Sequence, residues 1–305
     1  MSNDSFSFDL SHCTLCPRRC GADRTGGRRG LCGMGAAPVV ARAAAHYWEE
    51  PCISGERGSG AVFFSGCPLH CVYCQNHVIS SGGQGRELSA AQLRAVAERL
   101  AASGVHNINL VSPTHFSHVV AELLEKPLPV PVVYNCGGYE RVEILRALEG
   151  KIQIWLPDLK YMDGALAARC SAAPDYPETA QAAIREMFRQ TGPYALDEDG
   201  ILRSGVVIRH LILPGETANA KAVIDWVGET FAPGEVLFSL MAQYTPCGRA
   251  AEYPPLDRRL TPEEYEEVRD YLMNSAVEDG FFQEPDAAGE EYIPAFDLTG
   301  LDELP

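Results

Sequence analysis

The chain has 305 residues, 46% of them hydrophobic, 11 cysteines and a formal net charge of −16. That length supports one large globular core, and the negative charge argues against non-specific binding to nucleic-acid phosphates. No apolar stretch is long enough to span a bilayer, and the start, Met1-Ser2-Asn3-Asp4-Ser5, lacks the basic and apolar parts of a secretory signal. A cytoplasmic protein with neither a membrane nor a nucleic-acid partner is expected. In a reducing cytosol its cysteines point to metal ligation more than to disulfides.

Residues 1–58 read as a Cys-, Gly- and Arg-rich extension with few periodic signals. From residue 59 to 275, short β-rich runs alternate with helical patterns. The expected strands are Ala61–Ser65, Asn107–Val111, Val130–Tyr134, Ile152–Leu156, Val206–Ile212 and Glu235–Ser239. They are rich in Val, Ile, Phe and Leu without clear alternation, as strands buried on both faces should be. Ser89 and Gln92 form a capping box for a helix that runs to Ser103 and stops at Gly104. Further helices are expected over Phe116–Leu124, Arg141–Leu148, Pro177–Gln190 and Ala218–Val227, and over Pro262–Asn274 behind Thr261 as N-cap. Strand–helix units in series predict a parallel sheet with right-handed crossovers. Six are too few for a full eight-unit barrel, so an α/β partial (βα)6 TIM-like barrel is expected; a flat doubly wound sheet is the alternative.

Residues 276–305 read as an acidic tail, and its aromatic residues, Phe281 and Phe282 through Tyr292 and Phe296, suggest that it packs back on the barrel. Residues 251–305 hold 16 Asp and Glu against 3 Arg. A solvated acidic face is the plain reading, and a docking surface for a basic partner is the sharper one.

In parallel α/β folds, chemistry collects at the carboxyl ends of the strands. Those places carry Ser112-Pro113-Thr114-His115, Asn135-Cys136-Gly137-Gly138, Asp158-Leu159-Lys160, Arg209-His210 and Gln243-Tyr244-Thr245. After the first strand come Cys67, Cys71 and Cys74, with C-x3-C-x2-C spacing. Three close thiols make an incomplete metal cage, and a four-iron cluster so held leaves one iron open to an outside ligand. A Cys3His zinc site completed by His70 or His77 is the alternative.

At this point the chain resembles the radical SAM superfamily. The match is the cysteine triplet after a first strand, with the aromatic Tyr73 before the last cysteine. The region from about residue 40 to 300 is similar to the proteins related to pyruvate formate-lyase activating enzyme. The supporting strings are His46-Tyr47-Trp48-Glu49-Glu50-Pro51, Phe63-Phe64-Ser65-Gly66-Cys67, Trp155-Leu156-Pro157-Asp158-Leu159-Lys160, and Ile208-Arg209 with Pro214-Gly215. The resemblance implies that Cys67, Cys71 and Cys74 hold a 4Fe–4S cluster whose open iron binds S-adenosylmethionine. One electron, from a flavodoxin- or ferredoxin-like donor, then cleaves the sulfonium to a 5′-deoxyadenosyl radical. It also implies that Asp158 and Lys160 contact the ribose and methionine parts, that Arg209 balances the carboxylate, and that Tyr73 belongs to the cofactor site. His46, Glu49 and Glu50 fall near the pocket. Relatives carry Gly-Gly-Glu after the second strand, where this chain has Asn109 to His115; Ser112 and Thr114 are the oxygens left to meet the methionine ammonium.

A second set, Cys13, Cys16, Cys20 and Cys32, has C-x2-C-x3-C-x11-C spacing among glycines that permit tight turns. Four thiolates can close a zinc or an iron–sulfur site; free thiols or a regulatory disulfide are the alternative. The sequence therefore predicts a radical SAM enzyme that abstracts a hydrogen atom, from a protein partner as in glycyl-radical activation. The rival readings are a radical SAM enzyme acting on a small molecule and a non-catalytic metal-binding interaction protein.

Overall fold

The computed structural model describes residues 7–283 and 294–302. Its strands in chain order are β1 (Val39–His46), β2 (Ser59–Phe64), β3 (Arg86–Glu87), β4 (Ile108–Val111), β5 (Val132–Cys136), β6 (Ile154–Pro157), β7 (Ala195–Leu196), β8 (Leu202–Leu211), β9 (Leu237–Met241) and β10 (Gly280–Phe282). The helices are α1 (Pro51–Ser54), α2 (His77–Ser80), α3 (Ala90–Ala102), α4 (Ser117–Leu123), α5 (Val142–Ala147), α6 (Gly164–Ser171), α7 (Tyr176–Thr191), α8 (Thr217–Thr230) and α9 (Pro262–Met273).

The six expected strands appear as β2, β4, β5, β6, β8 and β9, each parallel to the next. The sheet order is β10-β9-β8-β6-β5-β4-β2-β1-β3, with β7 paired to β8. These parallel strands follow chain order without the reversal that a doubly wound sheet makes at its switch point. The partial TIM-like barrel is therefore the fold, and the flat alternative falls away. β2, β4, β5 and β6 are buried along their whole length. Trp155, Tyr134, Phe64 and Phe116 are among the largest fully buried side chains, each contributing about 1.5–3 kcal/mol by burial.

Helix starts follow the local chemistry. Ser89 and Gln92 form a reciprocal capping box on α3, and Thr261 and Glu264 do the same on α9 behind Pro262. The Asp163 carboxylate accepts from the Leu166 N–H at the start of α6, a helix that the periodic pattern did not show.

Two regions add strands to the sheet. β1 runs antiparallel to β2 with a register shift between Val40 and Arg42, so residues 39–46 continue the barrel sheet. β10 pairs in parallel with β9. Beyond it, the Leu298 N–H donates to Ala41 O at 3.1 Å, and the Ala43 N–H donates to Thr299 O at 2.9 Å. Phe296 meets Phe63 edge-on at 5.6 Å, and Leu301 is fully buried. Tyr292 lies outside the described residues.

Candidate active site

The three-cysteine loop leaves β2 through Gly66, at φ +81°, where a Cβ would come within 2.6 Å of Cys32 O. Three distant segments then hold the loop. The Val72 N–H donates to Cys170 O at 2.9 Å, the Arg249 N–H donates to Val72 O at 2.7 Å, and the Arg18 Nε donates to Pro68 O at 2.8 Å. Each thiol sulfur accepts a hydrogen bond: Cys67 Sγ from the Leu69 N–H at 3.4 Å, Cys71 Sγ from Ser171 Oγ at 3.0 Å, and Cys74 Sγ from Ser80 Oγ at 3.3 Å.

Tyr73 sits behind this loop, buried. Its hydroxyl lies 2.7 Å from that of Tyr161, which lies 2.8 Å from Ser171 Oγ. Ser171 has one proton, and giving it to Cys71 makes Ser171 an acceptor from Tyr161, and Tyr161 in turn an acceptor from Tyr73. Burial, with the neighbouring cysteines adding to it, pushes the Cys67 thiol up to about 12; for Cys74 burial is again the main cause, up to about 11. Both are neutral thiols until a metal displaces the proton.

The strand ends meet beside this loop. Arg209, near the end of β8, donates through Nε to Asp158 Oδ1 at 2.9 Å, through Nη2 to Asn135 Oδ1 at 2.7 Å, and through Nη1 to Glu49 Oε2 at 3.1 Å. Lys160 Nζ donates to Asp158 Oδ2 at 2.6 Å. Asp158 and Lys160, two apart in extended chain, share a face as their spacing suggests. Burial opposes ionisation of Asp158, but Arg209 and Lys160 outweigh it and hold the carboxyl below its ordinary range. Burial also works against the Lys160 ammonium, and Asp158 beside it reverses that and raises its pKa.

Gly137 lies between the three-cysteine loop and Lys160: a Cβ there would be 2.6 Å from Leu69 Cδ1 and 3.6 Å from Lys160 Cε. Gly138, at φ +76°, lets Asp158 O approach to 2.2 Å of where a Cβ would stand. The Tyr176 hydroxyl accepts from the Lys160 N–H at 2.9 Å and lies 2.7 Å from Asp158 O, so α7 fixes the same turn.

Glu49 arrives from the segment between β1 and α1 and accepts from Asn109 and Asn135 at 3.1 and 3.2 Å. Glu50 Oε2 stands 4.0 Å from Arg209. Burial raises the pKa of both glutamates, with Arg209 opposing it. His46 instead packs edge-on against Phe63 at 5.9 Å.

Ser112 follows β4 at φ +59°, while Thr114 enters a short 3-10 turn and is buried. Its hydroxyl bonds to Glu140 Oε1, not to an open mouth. Burial holds the Glu140 carboxyl up at about 8 against three donors, Thr114, Cys136 and Tyr134.

Cys13, Cys16 and Cys32 are buried, and Cys20 is half-buried. Among the described residues no group of three or more His, Cys, Asp or Glu side chains is arranged to hold a metal ion as it stands, so either cysteine set would draw in on loading. The partners Tyr161, Ser171, Tyr176 and Ser80 were not evident in the sequence; the paired Gly137-Gly138 was the one local sign of close approach here.

The model of the Radical SAM superfamily matches residues 61–227, more than half of the chain. The chain belongs to this superfamily and is a radical SAM enzyme, which sets aside the non-catalytic reading. Membership implies a 4Fe–4S cluster and S-adenosylmethionine. An uncharacterized protein of Methanocaldococcus jannaschii is 27% identical over 269 residues, 85% of this chain and 73% of that one. A domain of pyruvate-formate lyase-activating enzyme from Bacteroides vulgatus is similar at TM-score 0.36 and 14% identity, over 64% of this chain and 91% of that domain. Streptococcus suis SuiB, bound to S-adenosylmethionine, is similar at TM-score 0.45 and 14% identity; the match covers 75% of this chain and 48% of SuiB. Among the described residues no helix is long and apolar enough to cross a membrane.

Proposed function

We propose that Cys67, Cys71 and Cys74 hold the 4Fe–4S cluster, that Asp158, Lys160, Arg209 and Ser112 hold S-adenosylmethionine, and that the enzyme abstracts a hydrogen atom from a protein partner. The donor set suits the cluster: three thiols on one loop, each sulfur already met by an N–H or O–H donor. When bound, cluster and S-adenosylmethionine supply reductive cleavage of the sulfonium, with the electron coming from a flavodoxin- or ferredoxin-like donor.

The chain's own residues bind and orient. Arg209 uses three of its five N–H donors on Asp158, Glu49 and Asn135, leaving two for a carboxylate. Lys160 keeps two ammonium protons beyond the one given to Asp158. Thr114 acts through Glu140 and Tyr73 through Tyr161 and Ser171, so both are positioning residues in this reading. The four N-terminal thiols hold a second metal, zinc or iron–sulfur.

The observation that carries this reading is the convergence of Asp158, Lys160 and Arg209 beside the three-thiol loop. Its test is anaerobic reconstitution. Reduced protein with S-adenosylmethionine should release 5′-deoxyadenosine and methionine, and Cys71→Ala should stop it. A wild type with neither cleavage nor a 4Fe–4S spectrum would sink the proposal.

The protein-partner preference rests on the resemblance of the strings around Glu49, Asp158 and Arg209 to activating enzymes. A small-molecule substrate is favoured instead by an unpartnered polar atom buried on β4, Asn109 Oδ1. A glycyl-radical signal in a partner protein after turnover supports the first reading. Deuterium transfer from a small substrate into 5′-deoxyadenosine supports the second.

A further inference from the structure

The four N-terminal thiols lie in a segment, residues 7–38, that has no helix or strand before β1. Turns fold the segment back on itself, and among the described residues the thiols must still draw in to meet on one metal. The Cys13 N–H donates to Ala22 O and the Gly21 N–H donates back to Cys13 O, both at 3.0 Å. A Cβ on Gly30 would lie 3.4 Å from the sulfurs of both Cys20 and Cys32, so this glycine keeps open the space that the two thiols flank.

Arg24 is 2% exposed and sits against this group. Its guanidinium donates to Gly35 O, to His115 O at 2.7 Å and towards Cys13 Sγ at 3.7 Å, and it lies over the Phe116 ring. None of the ion pairs among the described residues includes Arg24. Glu140, an acid near Cys16, is itself held by burial as a neutral carboxyl up to about pH 8. A buried guanidinium without a counter-charge is strongly destabilising. Burial pushes the Cys16 thiol up to about 12 and raises that of Cys32, so these sulfurs become anions that balance Arg24 when a metal displaces their protons.

We infer that Cys13, Cys16, Cys20 and Cys32 form a metal centre of net negative charge, with Arg24 as its buried counter-ion. This deepens the reading that these thiols bind a second metal, and rests on it. Loading with zinc, or transfer of an already assembled 4Fe–4S cluster, exchanges four S–H protons for four sulfur–metal bonds and releases the protons to solvent, with no change of oxidation state. Four thiolates on one divalent zinc, or on a 4Fe–4S cluster, both leave negative charge for a cation to meet.

The centre also holds a clamp. Arg18, between Cys16 and Cys20, donates to Pro68 O at 2.8 Å, to Ser171 O at 2.6 Å and to Ala172 O. Leu31 O meets the His70 ring nitrogen at 2.7 Å. Closing the four thiols on one metal pins both contacts to the three-cysteine loop.

The test uses the full chain with Cys67, Cys71 and Cys74 all replaced by Ala, purified anaerobically. Metal that remains there belongs to the N-terminal set. One zinc, or four iron with four sulfide, per chain is expected, and absorbance separates the two. Adding Cys32→Ser should remove it. Arg24→Gln should weaken retention against a chelator by about 10- to 100-fold, the range over which outer partners tune metal affinity, and Arg24→Lys should recover most of it. A metal-free triple variant, or Arg24→Gln binding as tightly as its parent, overturns the inference. Should Arg24→Gln fail to fold, Arg24→Lys decides: metal retained supports the charge role, and metal lost refutes it. Cleavage of S-adenosylmethionine by the wild type is read separately, so a failure here leaves the three-cysteine site standing.

Discussion

In the loop of Cys67, Cys71 and Cys74, two sulfurs are met by serines at the ends of helices, Ser80 of α2 and Ser171 of α6. In the N-terminal set, backbone turns and the donors of Arg18 and Arg24 do the holding. The first set is carried by the barrel. The second lies in a segment whose own small apolar group, Cys13, Leu15 and Ile144, borrows a residue of α5. A loop tied to helix ends depends less on its metal for folding than a segment with no helix or strand of its own.

The sharpest way to break this contrast is a pair of single variants. Cys71→Ala should abolish 5′-deoxyadenosine release and leave the thermal transition near that of the wild type. Cys32→Ser should lower the transition and leave measurable release. Equal behaviour of the two would erase the distinction.

Next in size is Asp158→Asn. It leaves Lys160 without its anion and strips one of the carboxylates from Arg209. Removing one partner from a buried charge network costs roughly 3 kcal/mol, readable as a lower urea midpoint with unchanged slope. The Asp158 carboxyl sits below its ordinary range, so its stabilisation is present above the unfolded pKa and is lost as pH falls through the folded one. The variant should therefore lose the acid limb that the wild type shows below about pH 4.

Glu140 runs the other way. Its folded pKa of about 8 lies above the ordinary 4.5, so the native state keeps a proton that the unfolded chain releases. Stability from this group falls as pH rises between those values, by about 4 kcal/mol. Glu140→Gln should flatten that slope in denaturant titrations at pH 5 and pH 8; parallel slopes for both proteins would refute a buried neutral carboxyl.

The smallest effect is expected for Arg18→Ala, about 1 kcal/mol from lost carbonyl contacts. Its distinctive sign is faster amide exchange at residues 67–72, with β4 and β5 unchanged. Uniform acceleration would mean that Arg18 supports the whole fold and not the tie between the two cysteine sets.

Much of the barrel was legible because its strands are apolar on both faces and each ends in polar or Gly-rich residues. β1 was not: Val-Val-Ala-Arg-Ala-Ala-Ala-His lacks a sustained branched run, and it becomes a strand through its pairing with β2. The three-cysteine spacing and the Asp158–Lys160 pair are local patterns, so sequence carries them. The hydroxyl chain from Tyr73 joins residues 88 and 10 positions apart, and Arg24 reaches a carbonyl 91 residues away. Such partners follow from crossovers and packing, which no window of sequence reports. Thr114 shows the same limit, since the 3-10 turn directs its hydroxyl inward to Glu140.

The stretch from Leu298 to Leu301 has a consequence for handling the protein. It satisfies Ala41 O and the Ala43 N–H on the outer side of β1, with Arg86 and Arg99 clasping the carbonyls of Leu301 and Gly300. A chain cut before Pro294 would bare that rim of backbone and offer a template for a neighbouring copy. Truncation there should show first as self-association on a sizing column, with the cysteine chemistry untouched.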